Sequence, residues 1–72
     1  MENIWQPNQA MNERECEAMA VILEAKHGLH ATEVADFFAI MHTGYGDERR
    51  STAWADVAER VRTRQRDRLL QD

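Results

Sequence analysis

His27 and His30 stand three residues apart in the run His27-Gly28-Leu29-His30. Two imidazoles at that spacing could open a zinc-type site, which needs a third and usually a fourth ligand. The other soft or imidazole candidates are Cys16 and His42. On helices rising 1.5 Å per residue, Cys16 lies about 16 Å from His27 and His42 about 18 Å from His30. Neither can complete the pair within one chain, so no metal and no other cofactor is expected. Simpler roles suffice: His27 as a cation at a helix C-terminus, His30 as a capping side chain. Cys16 is the single cysteine, which excludes an internal disulfide. It falls on an apolar stripe among glutamates, where a thiol acts as a small hydrophobe rather than a nucleophile.

Tyr45, Asp47, Arg49, Arg50 and Ser51 form the one polar group that could resemble a reaction site. Catalysis needs a nucleophile, a base and a stabiliser converging on a pocket. A domain of this size rarely encloses the ~300–1,000 Å³ that a ligand pocket takes. Helix capping and solvated charge account for these residues, and no enzyme is expected.

Arg60, Arg62, Arg64, Arg66 and Arg68 are the case for nucleic acid. At helical spacing they split into two directions, Arg60, Arg64 and Arg68 against Arg62 and Arg66, so they form no single dense stripe. Arginine near a helix C-terminus also complements the helix dipole. The segment from Trp54 to Val61 resembles the first helix of a helix-turn-helix, but no turn and recognition helix follow it. A nucleic-acid-associated regulator using these arginines is the alternative to a protein-binding role.

The elements that must position these groups follow from periodicity. Asn12 to Gly28 reads as one helix, and stepping 100° per residue makes it apolar on two faces. Cys16, Met19, Ala20 and Leu23 form one stripe. Met11, Ala18, Val21, Ile22 and Ala25 form the other. Glu13, Glu17 and Glu24 mark a polar wedge between them. Asn12 with Glu15 makes a capping-box-like start, and Gly28 a left-handed stop with Leu29 folding back on Leu23. A second helix is expected over 30–43, with Leu29 and Val34 as a staple and His30 with Glu33 at its cap. Its broad apolar face reads Ala31, Val34, Phe37, Phe38, Met41 and Tyr45. Gly44 and Gly46 stop it. Asp47 caps a third helix over 47–66, whose stripe is Trp54, Val57, Ala58 and Val61, and 67–72 is expected to fray.

These short connections predict an all-α, three-helix, up-down-up bundle forming a single domain over residues 1–72, with residues 1–11 as an N-terminal arm. Phe37, Phe38 and Trp54 are expected at its centre. Pro7 breaks regular structure in the arm, yet Ile4 and Trp5 are too apolar to stay loose. No segment has the length of a membrane span or the pattern of a signal peptide, so a soluble cytoplasmic protein is expected. The net charge is −4. It is divided into an acidic front, with seven acids and two bases before Asp47, and a tail from Asp47 with seven arginines and six acids.

His27-Gly28, then Ala31, Val34 and Phe37, then Gly46-Asp47, then Trp54 with Val57-Ala58-Glu59-Arg60-Val61 resembles a family of short, uncharacterised bacterial all-helical proteins. Its pattern is a Gly-x-x-Ala helix start, a Gly-Asp turn and a tryptophan seven residues on. The resemblance covers about two-thirds of the chain. It implies the helical fold and no activity.

A chain of 72 residues builds a core worth only about 3–5 kcal/mol and usually needs a staple. With no disulfide and no metal, the remaining staple is association. The expectation is a small protein-binding or structural module that forms a homodimer, with room for a further protein partner. Its interface would be Met11, Ala18, Val21, Ile22, Ala25 and Trp5.

Overall fold

A computed structural model describes residues 12–71. Among these the chain is all-helical: α1 spans Glu13–His27, a 3-10 turn spans Gly28–His30, α2 spans Ala31–Gly44, and α3 spans Glu48–Leu69. The expected arm, with Ile4, Trp5 and Met11, lies outside the described residues. None of the described helices is long and apolar enough to cross a membrane.

α1 starts on a reciprocal cap. Asn12 Oδ1 accepts from the Glu15 N–H at 2.8 Å, and Glu15 Oε1 accepts from the Asn12 N–H at 2.9 Å. This satisfies two of the donors that a helix start leaves open. Gly28 ends α1 with φ 58°, and its N–H bonds the Glu24 carbonyl. The chain does not leave the helical state for long. The 3-10 turn carries it directly into α2, so α1 and α2 form one joined helical stretch, with α3 as a second. This corrects the sequence reading in two places. Leu29 is 83% exposed and does not seal against Leu23. His30 makes no side-chain cap, and its Nδ1 instead pairs with Glu33 Oε1 at 3.0 Å.

The core is Cys16, Ala20 and Leu23 from α1, Ala31 and Ala35 from α2, and Trp54, Val57, Ala58 and Val61 from α3. The α1 and α3 stripes are those that periodicity selects. The α2 face is not. Ala31, Ala35 and His42 are its buried residues, and Phe38 packs against the core from its edge. Phe37 is 58% exposed, and Tyr45 is exposed too. The physical reason is close approach. Alanines at 31 and 35 let α2 lie against its neighbours with little between the backbones. A phenylalanine facing inward would hold them apart. Phe38 reaches Trp54 with ring centroids 4.8 Å apart, and Phe37 only leans on Phe38 from outside at 6.0 Å.

α3 packs against both other helices. Its contacts with α1 run in chain order, from Glu17 with Arg60 to Glu24 with Arg68. Its contacts with α2 run in the opposite order, from Thr43 with Ser51 to Asp36 with Arg62. α3 continues to Leu69 where fraying was expected from residue 67. Arg68 holds its last turn, with Nη1 and Nη2 donating to Glu24 at 2.7 and 2.9 Å.

Candidate protein interface

The residues with chemical potential are mostly engaged in structure. Asp47 Oδ1 accepts from the Arg50 N–H at 3.2 Å, capping α3, and its Oδ2 accepts from Arg50 Nη1 at 3.1 Å. Ser51 and Thr43 hydroxyls bond each other across the α2–α3 junction. His27 and His30 are exposed, while His42 is buried. Among the described residues, no three His, Cys, Asp or Glu side chains gather as a metal site would require. Cys16 Sγ–H lies 3.8 Å from the Ala53 carbonyl. Burial above all, then the neighbouring Asp56, pushes its pKa up to about 11. At neutral pH it is a thiol and a core group, not a nucleophile.

The arginines fall into the two directions that spacing predicts, and each direction meets acids. Arg60 reaches Glu17 at 3.2 Å, Asp56 at 3.3 Å and Glu13 at 3.8 Å. Arg64 bridges Glu17 and Glu24, both at 3.1 Å, and Arg68 closes on Glu24. Arg62 pairs with Glu59 at 2.6 Å and with Asp36 of α2 at 3.5 Å. Arg66 is exposed. The acidic wedge of α1 therefore faces the arginine row of α3. Charge periodicity in each helix separately carries the signal for this pairing, which a single-helix reading of the arginines overlooks.

That pairing fixes how α1 is turned. Its Cys16 stripe goes to the core and its glutamate wedge to α3. Its other apolar stripe points outward. Ala18 and Ala25 are exposed, Val21 is 43% exposed and Ile22 38%. Met11 and Trp5, the other expected interface residues, lie outside the described residues. At the end of the stripe an open groove of about 400 Å³ runs between α1 and α3. Val21, Ala25 and Leu29 form its apolar wall, and Arg64, Gln65 and Arg68 its polar wall. Gln65 Nε2 bridges the groove to the Gly28 carbonyl at 3.1 Å.

A second exposed apolar strip lies on α2, where Phe37 is joined by Ile40 at 70% exposure. Sequence reasoning missed it because it placed Phe37 in the core. Comparison with protein-family models, with curated proteins and with solved structures finds no match.

Proposed function

We propose that this protein is a non-enzymatic helical module that works by binding protein, beginning with a second copy of itself, through the outward stripe of α1. The observation that carries this reading is the stripe itself. Ala18, Val21, Ile22 and Ala25 are contiguous, apolar and exposed on a helix whose Cys16 stripe and glutamate wedge are both taken up by the fold. A contiguous apolar patch on a small domain marks an interface, where scattered exposed residues would not. Burying it in a twofold contact supplies the staple a chain this short needs.

The packing order along α3, parallel to α1 and antiparallel to α2, supports reading the joined stretch and α3 as three segments running up, down and up. The resemblance to short bacterial helical proteins, through Gly28, Ala31, Gly46, Asp47 and Trp54, supports that fold reading and adds no activity. A single free thiol suits the cytoplasm.

Sedimentation velocity at tens of micromolar tests the proposal. The wild type should sediment as a dimer, and Val21→Glu with Ile22→Glu as a monomer or an unfolded chain. A chain lacking residues 1–8 should still dimerise. A monomeric wild type overturns the reading.

The competing reading is a nucleic-acid regulator acting through Arg60, Arg62, Arg64, Arg66 and Arg68. Carboxylates already hold Arg60, Arg62, Arg64 and Arg68, and phosphates would have to displace them. No binding to random duplex DNA is expected at about 150 mM salt and micromolar protein. Binding there that weakens steeply with added salt, as counterion release requires, favours the regulator.

A further inference from the structure

We infer that the second copy lies antiparallel on α1, with the twofold axis crossing the helix at the level between Ala20 and Val21. This rests on the self-association reading above and specifies its geometry. Three features of α1 point to it.

The first is end charge. The opening turn of α1 carries Glu13, Arg14 and Glu15, net acidic, and its closing turn Lys26 and His27. Glu13 is turned to Arg60 of α3, so the end charges beside the outward stripe are Glu15 and Lys26. A parallel pair lays acid on acid at one end and base on base at the other. An antiparallel pair sets each acidic turn beside the partner's basic turn, and it also opposes the two helix dipoles.

The second is the flank. At 100° per residue, Glu15 and Lys26 come within about 20° of each other around the helix, on one side of the apolar stripe. Both are exposed. A twofold axis perpendicular to the helix brings matching flanks together with reversed direction. Glu15 of each copy then meets the partner's Lys26, and the contact is made twice.

The third is size. In the register that pairs those charges, Ile22 lies over the partner's Ala18, and the partner's Ile22 over Ala18. Large side chains then seat on small ones across the axis, which lets the two backbones approach.

Disulfide cross-linking in a Cys16→Ala background tests the arrangement, since exposed positions can then be probed without the buried thiol. Chains carrying Ala18→Cys mixed with chains carrying Ile22→Cys should link to each other on mild oxidation. Ala25→Cys alone should not link. Its two copies would be separated by about 13 Å along the axis at 1.5 Å per residue, beyond the ~7 Å that a disulfide spans between Cα atoms. Trp54 emission in a Trp5→Phe chain checks that each variant is folded. If the protein sediments as a dimer and Ala25→Cys links with itself, the pair is parallel and this inference fails while self-association stands. If the dimer persists and neither set links, the seam lies elsewhere, such as the Phe37–Ile40 strip, and the inference fails. A monomeric protein overturns the self-association reading and this inference with it.

Discussion

Glu24 is held by two arginines at once. Hydrogen bonds from Arg68, followed by those from Arg64, lower its pKa from 4.5 to about 2 against the opposing effect of burial. The unfolded chain carries the ordinary carboxyl, so the folded state binds this proton less readily. Glu24 therefore contributes its full stabilisation above pH 4.5 and loses it as the pH falls toward 2. The urea midpoint of the wild type should drop across that window, and Glu24→Gln should flatten the drop while lowering the midpoint at neutral pH. Phe37 and Phe38 make the second residue-scale contrast. Adjacent in sequence and equal in hydrophobicity, they differ in what they touch. Phe38→Ala removes a ring packed on Trp54 and should cost about 3 kcal/mol. Phe37→Ala removes a ring that is largely in water and should cost less than about 1 kcal/mol. Urea denaturation followed by Trp54 emission, with Trp5→Phe, separates the two. A larger loss for Phe37 would place it back in the core.

At the scale of elements, legibility depended on how much of a helix is polar. In α3, charged residues surround a narrow stripe, so Trp54, Val57, Ala58 and Val61 could be read as buried from spacing alone. In α1, the wedges of Glu13, Glu17 and Glu24 and of Glu15 and Lys26 left two apolar stripes. The sequence showed both and assigned Cys16, Met19, Ala20 and Leu23 to the core, where they lie. α2 is apolar around most of its circumference, so periodicity there could not choose a direction. Size chose it: Ala31 and Ala35 went in and Phe37 stayed out. The outward stripe of α1 was legible for the same reason that the core was, while the Phe37–Ile40 strip was hidden by the preference for burying aromatics. The end of α3 was misjudged because its anchor is not local. Arg68 is held by Glu24, which is remote in the chain. Arg68→Ala should let the last turn fray. The Leu70 N–H, which bonds the Arg66 carbonyl at 3.1 Å, should then exchange with solvent faster than in the wild type, as amide exchange would show. Unchanged exchange would mean that the turn holds without the arginine.

At the scale of the whole molecule, charge is spent between helices. The front of the chain is acidic and the tail arginine-rich, and the fold lays one along the other through Glu13, Glu17 and Glu24 with Arg60, Arg64 and Arg68. The pairs made by the exposed Glu13 and the half-exposed Glu17 are each worth about 0–1 kcal/mol and serve orientation more than stability, whereas Glu24, nearly buried between Arg64 and Arg68, serves both. The row holds the glutamate wedge against α3, and that leaves the apolar stripe pointing out. The expected lack of affinity for DNA at about 150 mM salt and the expected dimer are two results of this one rotation.

The join between α1 and α2 carries one more consequence. Only the three residues of the 3-10 turn interrupt two helices, and Gly28 is where the backbone departs from helical angles. With Gly28 returned to helical angles, Glu13 to Gly44 would make a single rod about 48 Å long. α2 of one chain could then reach the α1 and α3 of another and form there the contacts it makes at home. Exchange of an identical element between copies is a low-cost route to a dimer, and in this chain it asks for a change of backbone angles only between His27 and His30, most of all at Gly28.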